Sequence, residues 1–350
     1  MIDRRAFLAL LSATPVGLAT AARDEGDEGD EVELTVALGV DDANFNPTTA
    51  SVFKLAETFG YYKKYGVKVT FVALDGTPQA VAALQAGQVD AADISLDAAV
   101  RLKASNGVAL RGFVAVATGS PFLIAAKSDI TRMEDLVGRS FAIADNGSLD
   151  HVLTQAVLRS FGIAADGPSF VAIGAPNVRI QALAAGQIDA TAVSFGTYSS
   201  IDDKIAGVHI LLPAKEFSAR APALAKFVAA REDTIAAKGE AIQRFTNALI
   251  ETSRDMAANP DKWIAAATAA RPDLDPAKIK GTAKSIADRW CVNGCMNPKK
   301  VDDSVAFVYT NPDFKDVPVL AGGDLVDLTF TTKALEILGV DKGTGMDAQP

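Results

Sequence analysis

Hydrophobic and polar positions follow the same order in two successive units of the chain. The apolar strand segments lie at 34–40, 67–74 and 89–94 in the first unit and at 140–144, 169–173 and 188–193 in the second. The segments of helical period between them lie at 49–65, 77–87, 148–161 and 177–185. Strands that alternate with helices predict parallel sheets with right-handed crossovers. We therefore expect an α/β protein of two similar lobes with parallel-type sheets flanked by helices.

One phrase occurs at the same place in both units. The two copies are "LQAGQVDAADIS" at 84–95 and "LAAGQIDATAVS" at 183–194. Gly87 and Gly186 are placed to end a helix in the left-handed conformation. Asp90 and Asp189 come at the start of the next strand, where we expect each carboxylate to bind nearby backbone amides. The phrase therefore predicts two lobes of one design, and by itself it is a weak signal of binding.

The pattern changes after residue 213. Residues 222–290 are rich in alanine and helical in period, and Pro260 and Pro272 mark turns. This segment has no lobe of its own, so we expect it to pack back onto the first lobe. The predicted organisation is a first lobe at 34–118, a second lobe at 119–213 and a C-terminal helical segment at 214–350.

The N-terminus has the features of an export signal. Residues 1–22 contain Arg4 and Arg5, a short apolar run and a small-x-small ending. The Arg-Arg-x-Phe-Leu order resembles a twin-arginine signal. We expect cleavage and a protein that is soluble in the periplasm; an uncleaved membrane anchor is the alternative.

The net charge of −9 is concentrated near the N-terminus. Residues 23–33 form an acidic run that we interpret as a flexible tether, with a partner-binding tail as the alternative. The remaining chain carries 35 acidic and 31 basic residues. Such a balance offers no basic face for nucleic acid.

Both cysteines lie in the short motif "RWCVNGCMN". We predict a disulfide bond between Cys291 and Cys295, because an oxidising compartment favours it and Val-Asn-Gly can form a tight turn. Free thiols and a zinc site are the alternatives. Zinc requires further ligands, and His151 and His209 are both far away in sequence.

Three features together resemble a known family. They are "KLAETFGYYKKYGVKVTFV" at 54–72, the repeated phrase, and "ITRMEDLVGRSFAIADNGS" at 130–148. In combination they are similar to the substrate-binding proteins of ABC importers for sulfonates, taurine, nitrate and thiamine pyrimidines, which are type II periplasmic binding proteins. The similarity covers residues 34–215 well and the C-terminal helices only loosely.

The resemblance implies two hinged lobes joined by crossing segments near 117–123 and 212–222. A small-molecule ligand would lie in the cleft between the lobes, which close on it. The protein would then deliver the ligand to an ABC permease in the inner membrane. We expect a monomer that uses no cofactor and no metal ion.

Candidate ligand-binding residues follow from the strand order. In open parallel sheets, ligands lie beyond the carboxyl ends of the strands, near helix N-termini. The candidates are Asp41, Asp42, Asn44, Phe45, Gly76, Thr77, Ser95, Asn146, Gly147, Ser148, Asn177, Ser194 and Phe195. The alternative for each polar residue is an ordinary cap or turn, and for the aromatic residues it is core packing.

The charge of the ligand is less well defined. Gly147 and Ser148 precede a helix and favour a small organic anion such as sulfonate, nitrate or carboxylate. Arg179 could add a cation, although we expect it to form a surface salt bridge. Asp41 and Asp42 would instead favour an amine or an aminopyrimidine.

Two other functions compete with transport. Thiamine-pyrimidine synthases share the implied fold, but they need a cysteine-rich motif that this chain lacks. Ser148 and His151 also lack a third group for a catalytic triad. A periplasmic sensor subunit would share the same cleft and differ only in its partner.

Overall fold

The computed structural model describes residues 31–39, 45–201, 207–344 and 347–348. Its strands are β1 (Val32–Leu38), β2 (Val67–Ala73), β3 (Ala91–Ser95), β4 (Leu110–Val114), β5 (Phe122–Lys127), β6 (Ser140–Ile143), β7 (Ser169–Ala172), β8 (Ala190–Ser194), β9 (Val208–Leu212) and β10 (Lys226–Arg231). Its α-helices are α1 (Val52–Thr58), α2 (Tyr61–Lys64), α3 (Thr77–Gln85), α4 (Leu96–Ala104), α5 (Leu149–Ser160), α6 (Pro176–Ala184), α7 (Phe195–Ser199), α8 (Ala214–Arg220), α9 (Glu232–Ala258), α10 (Pro260–Ala270), α11 (Pro276–Ile286), α12 (Pro298–Val308), α13 (Gly322–Leu325) and α14 (Thr329–Leu338). Short 3-10 helices lie at Thr49–Ser51, Met133–Leu136 and Pro312–Phe314.

The strands form two sheets of the same design. The strand orders are β2-β1-β3-β10-β4 and β7-β6-β8-β5-β9. Val36 pairs with Ala91 in the first sheet, and Phe141 pairs with Ala190 in the second, both in parallel register. β10 and β5 are antiparallel to both of their neighbours. The two predicted α/β lobes are therefore confirmed, and each sheet is mixed because of one reversed strand.

The reversed strands arrive by two crossing segments. The chain passes from β4 to β5 through residues 115–121 and returns from α8 to β10 through residues 221–225. Helix α8 contacts β5 and α5, so it packs on the second sheet. The sequence predicts only helices in the C-terminal segment, but β10 forms a strand there. Its residues Phe227–Ala230 are fully buried between β3 and β4.

The repeated phrase has the same structural role in both lobes. Gly87 and Gly186 have φ angles of 67° and 74°, the left-handed conformation predicted for the helix ends. The amide of Thr35 donates to the Asp90 carboxylate at 2.8 Å, and the amide of Ser140 donates to Asp189 at 3.0 Å. Each aspartate thereby ties the start of the central strand to its neighbour, as the sequence predicted.

Aromatic packing fixes the long helix α9 on the first sheet. Phe245 of α9 lies 5.8 Å from Tyr62, 6.4 Å from Phe53 and 6.5 Å from Phe113, measured between ring centroids. All four side chains are buried. The C-terminal helices α9 and α14 also contact β4, so this part of the C-terminal segment belongs to the core of the first lobe.

The disulfide-closed loop and the residues just before it form hydrogen bonds with the first crossing segment. Cys291 and Cys295 form the predicted disulfide bond. Within the loop that the bond closes, the carbonyl of Gly294 accepts a hydrogen bond from the amide of Ala115 at 2.9 Å. Arg289, just before the loop, donates to the carbonyl of Ser120 at 2.7 Å. The crossing segment is therefore held from one side by the C-terminal region.

Across the described part of the chain, none of the helices combines the length and the apolar character that a membrane crossing requires.

Candidate functional site

A cavity of about 130 Å³ lies between the two lobes. Lobe one contributes residues that follow β1 and β4, the start of α3, the middle of β3 and the start of β10. Lobe two contributes the start of β5 and the N-terminal turns of α5, α6 and α7. The lining residues are Asn46, Thr48, Thr49, Ala50, Thr77, Asp93, Val116, Ala117, Gly119, Pro121, Phe122, Ser148, Leu149, Asp150, Pro176, Arg179, Ser194, Thr197, Ala225 and Lys226. The site is thus built from both lobes and both crossing segments.

The lobes touch each other around this cavity. Gln79 donates from its side-chain amide to the Asp145 carboxylate across the cleft at 3.1 Å. A β-carbon on Gly76 would lie 2.7 Å from Oγ of Ser148, so glycine allows a close approach of the two lobes at that point. On the other side, Lys278 of α11 donates to the carbonyl of Ile201 at 2.5 Å. The structure therefore represents a closed arrangement of the lobes.

Ser148 presents a free hydroxyl group at the cavity. It precedes helix α5, and its side chain makes no capping hydrogen bond. Its Oγ atom is buried and has no hydrogen-bond partner among the residues that the structure describes. The plain capping role considered from the sequence is therefore not what this side chain does. A buried hydroxyl group without a partner is costly, so a ligand atom that bonds to it would gain binding energy.

An ion pair from the first lobe lines the cavity. Asp93 of β3 and Lys226 of β10 lie 3.3 Å apart, and their side chains are 9% and 17% exposed. The second carboxylate oxygen of Asp93, Oδ1, is buried and finds no hydrogen-bond partner in the described part of the chain. Burial raises the pKa of Asp93, and the charge of Lys226 acts against that rise. The described residues therefore leave Oδ1 of Asp93, a hydrogen-bond acceptor, without a donor.

A second ion pair, from the other lobe, lines the opposite wall. Arg179 donates through Nη1 to Asp150 at 2.7 Å and to the carbonyl of Ala192 at 2.9 Å. Asp150 also accepts the amide of Ala144 at 2.9 Å. Both side chains are almost completely buried, so Arg179 does not form the surface salt bridge expected from the sequence. Burial lowers the pKa of Arg179, and within the described ranges its Nε atom has no hydrogen-bond partner.

The structure brings together part of the predicted site. Thr77, Ser148 and Ser194 line the cavity, and Gly76 lies against Ser148. Ser194 accepts the amide of Thr197 at 3.1 Å and so also caps α7. The residues Asp41, Asp42 and Asn44 lie outside the described residues. Ligand binding by the predicted residues stays a prediction.

Other predicted residues lie away from the cavity. Ser95 is fully buried before α4, Asn146 is exposed, and Asn177 is half-buried at the start of α6. Gly147 lines a neighbouring cavity of about 300 Å³.

The two predicted aromatic residues pack elsewhere. Phe45 is buried against Trp263, with ring centroids 5.8 Å apart. Phe195 packs in the second lobe and approaches Gly281 of α11. The apolar part of the cavity wall comes instead from Val116, Pro121, Phe122 and Leu149.

Sequence reasoning missed three charged residues of the cavity. Asp93 is an acid inside an otherwise apolar strand, and Lys226 is a base at the start of another. Asp150 is buried in the first turn of α5. A charge inside a run that is otherwise buried needs a partner. That signal could have identified all three residues, although the pairing itself depends on the fold.

The contacts of His151 are with Gly147 and Phe170 and not with Ser148. Its Nδ1 atom accepts the amide of Gly147 at 3.0 Å, and its ring meets Phe170 edge-on with centroids 4.6 Å apart. Burial lowers the pKa of His151 and so favours the neutral ring that this hydrogen bond requires. The ring therefore supports the 145–148 loop. No group of three or more metal-ligating side chains occurs among the described residues.

The sequence also matches a family model. The model is described as NMT1/THI5 like and matches residues 46–263, more than half of the chain. The chain belongs to the NMT1/THI5-like family. A comparison with the curated proteins gives no match.

Solved structures share the fold of this NMT1/THI5-like chain. The alkanesulfonate-binding protein SsuA of Xanthomonas axonopodis pv. citri, bound to MOPS, has a TM-score of 0.67 at 20% identity, over 85% of this chain and 99% of that one. The nitrate-binding protein NrtA of Synechocystis PCC 6803 has a TM-score of 0.67 at 14% identity, over 89% and 90%. The aliphatic sulphonate binding protein SsuA of Escherichia coli has a TM-score of 0.62 at 17% identity, over 85% and 92%. The predicted type II periplasmic binding-protein architecture is confirmed.

Proposed function

We propose that this protein captures a small organic solute between its lobes and delivers it to an ABC importer. The observation that carries the proposal is the cavity closed between two lobes, with polar groups from both walls. Contacts across the cleft surround the cavity. A ligand therefore reaches the cavity when the lobes open and is held there when they close. The family match and the fold of the solved relatives support the same function.

The ligand carries an acidic group, such as a sulfonate, a nitrate or a carboxylate. The proposal rests on Ser148 and Arg179, which both line the cavity and each have a buried hydrogen-bonding atom without a partner among the described residues. Ser148 lies at the N-terminus of α5, where backbone dipoles favour negative charge. Relatives of the same fold are described as alkanesulfonate- and nitrate-binding proteins.

The protein works as a monomer in the periplasm, with an ABC permease of the inner membrane as its partner. The twin-arginine-like signal at 1–22 supports export, whereas Val32 and Glu33, at the end of the predicted tether, belong to strand β1. Binding needs no covalent step, because Ser148 Oγ is not hydrogen-bonded to His151 or to another base. The family match and the solved relatives described as binding proteins support a binding protein rather than an enzyme.

Calorimetric titration of paired variants tests this proposal. The panel contains alkyl sulfonates, nitrate, small carboxylates and aminopyrimidines, and the Ser148→Ala variant is compared with the natural protein. Loss of one charge-assisted hydrogen bond should weaken binding of the acidic solutes by about tenfold or more. The control is Ser105→Ala, an exposed serine at the end of α4, which should bind normally.

The results separate the alternatives. Unchanged affinity in the Ser148→Ala variant would contradict the assignment of this cavity. Binding by aminopyrimidines alone would favour a thiamine-pyrimidine-related protein, and turnover of a bound solute would show an enzyme. Capture of a membrane receptor rather than a permease would indicate a sensor subunit.

A further inference from the structure

A second cavity, of about 300 Å³, lies between the lobes beside the ligand cavity. The first lobe lines it with α3, α4 and the 3-10 helix Pro312–Phe314, which packs with α4 in the core of that lobe. The second lobe lines it with α5, and the half-buried His151 belongs to this lining. Thr77 of α3 lines both cavities. Closure of the lobes therefore places residues of the first lobe around the His151 side chain.

The ring of His151 is tied to the loop at residues 145–148. Its Nδ1 atom accepts the amide of Gly147 at 3.0 Å, and only a nitrogen without a proton can do so. Protonation of the ring makes Nδ1 a donor, so the hydrogen bond from Gly147 is lost. The state of the loop therefore depends on whether the ring carries a charge.

The same loop carries contacts on which the closed site depends. Asp145 accepts the side-chain amide of Gln79, in the first lobe, at 3.1 Å. The carbonyl of Asp145 accepts the amide of Ser148 at 3.1 Å, and Ser148 lines the ligand cavity. Gly147 lies between these two residues in the chain. A change at Gly147 therefore affects both a contact across the cleft and the wall of the ligand cavity.

We propose that His151 is a pH-sensitive switch of lobe closure. The neutral ring holds the 145–148 loop in the closed form, and the protonated ring releases the loop and weakens ligand binding. This inference rests on the proposed function and adds regulation of the same site by the pH of the surroundings.

The charged groups around His151 act on it in both directions. Asp150 on the same helix and Asp313 of the 3-10 helix favour the protonated ring. Asp97 and Arg101 of α4 line the same cavity and carry opposite charges. Neither α3 nor β7 contains an ionisable residue. Burial is the largest influence, and it lowers the pKa of His151.

The direction of the pH effect follows from this burial. In the closed form the pKa of His151 lies below its ordinary value of 6.5, and in the open form water surrounds the ring and restores that value. Closure below pH 6.5 therefore releases a proton and becomes less favourable as the pH falls, by at most about tenfold per pH unit. Burial raises the pKa of Asp97, so that group responds to acid in the opposite sense. The test therefore changes His151 itself.

Nitrogen NMR tests the switch without a ligand. The chain contains two histidines, and the spectrum of His209→Asn identifies the signals of the other ring. We expect the His151 ring to be protonated only on Nε2 at pH 7.5 and to titrate below pH 6.5. The amide signal of Gly147 should shift with the same midpoint. A Gly147 signal that does not follow the His151 titration would overturn the inference.

Calorimetric titration tests the effect on binding. The probes are propane-1-sulfonate and nitrate, whose charges are constant between pH 5 and pH 8. We expect the affinity of the natural protein to fall about threefold to tenfold between pH 7.5 and pH 5.5, since one proton is released on closure.

Two variants assign this pH response. His151→Asn keeps an acceptor near the position of Nδ1 but does not titrate, so its affinity should change by less than about twofold over the same pH range. The control is His209→Asn, in β9 and outside the lining of both cavities, which should keep the response of the natural protein. Melting temperatures confirm that both variants fold.

The outcomes separate this inference from the proposed function. If the affinity of the natural protein does not fall towards pH 5.5, or falls equally in His151→Asn, the switch is absent and the proposed capture function stands. If neither probe binds at any pH, the proposed capture of these acidic solutes fails. The Gly147 signal then decides the switch by itself, because the hydrogen bond to His151 lies within the second lobe.

Discussion

Gly196 in the second lobe and Pro47 in the first lobe leave no space for a side chain between them. A β-carbon on Gly196 would lie 2.5 Å from both the carbonyl oxygen and Cβ of Pro47. The φ angle of Gly196 is not positive, so residues other than glycine can adopt its backbone conformation. The glycine is therefore required by the approach of the lobes and not by the local fold.

Gly196→Ala should hinder closure without unfolding either lobe. Excess volume at a packed contact costs about 1–3 kcal/mol, which would weaken ligand binding by roughly 5- to 150-fold. Calorimetry measures the affinity, and small-angle scattering should show a more extended protein with ligand. The control is Gly239→Ala in α9, where a β-carbon meets nothing within 4 Å. A Gly196→Ala variant with normal affinity would show that the lobes do not close in this manner.

Removal of one partner from the buried pair should strongly destabilise the second lobe. Arg179→Met leaves Asp150 as a buried, uncompensated charge, and such changes cost about 3–5 kcal/mol. Urea unfolding measures the loss. Lys299→Met breaks an exposed pair with Asp303 and should change the free energy of unfolding by less than about 0.5 kcal/mol. Equal effects of the two changes would contradict the structural importance of the buried pair.

Asp189 should contribute to acid sensitivity. The hydrogen bond from Lys127, helped by Ser140, lowers the pKa of Asp189 to about 2. A carboxyl group with a lowered pKa stabilises the fold above its unfolded pKa of 3.8, and this contribution is lost as the pH falls towards about 2. Asp189→Asn should therefore be less stable at pH 7, and the difference should shrink below pH 4. If the difference in melting temperature between the variant and the natural protein stays constant down to pH 2, this role is excluded.

The disulfide bond should stabilise the C-terminal region. Cys291 and Cys295 are four positions apart, and closure of so short a loop is worth about 2 kcal/mol in the chain-entropy account. The Cys291→Ala and Cys295→Ala double variant should therefore unfold at lower urea concentration. Reductant should lower the stability of the natural protein and leave the double variant unchanged, because the chain contains no other cysteine. An identical response of both proteins would exclude the expected stabilisation.

The framework of the two lobes could be predicted because it depends on local patterns. Gly87 and Gly186 end helices in a conformation that glycine adopts easily, and both can be recognised from the sequence. Asp90 and Asp189 follow them at fixed positions. The strand Lys226–Arg231 was missed because "KFVAAR" is short and stands among alanine-rich helical segments. Its pairing with β3 and β4 is a long-range contact that no local pattern specifies.

The candidate site was predicted less completely. The rule that ligands lie beyond strand ends identified Thr77, Ser148 and Ser194, because it depends only on the order of elements. The rule does not indicate which side chains face the cleft and which pack inside a lobe, so it also selected Phe45. The two ion pairs join Asp93 to Lys226 and Arg179 to Asp150, and they depend on how the elements are arranged in space.

The reversed strands have a consequence for the order in which the chain can fold. β10 lies between β3 and β4, yet it is synthesised after every strand of the second sheet. An emerging polypeptide that ends before Lys226 lacks the strand that joins β3 to β4, so the edge of β3 is exposed and β4 is unattached. The second sheet needs nothing beyond β9. We therefore expect the ribosome-bound chain to complete its second lobe first, and a fragment that stops near residue 220 to bind chaperones through its unfinished first lobe.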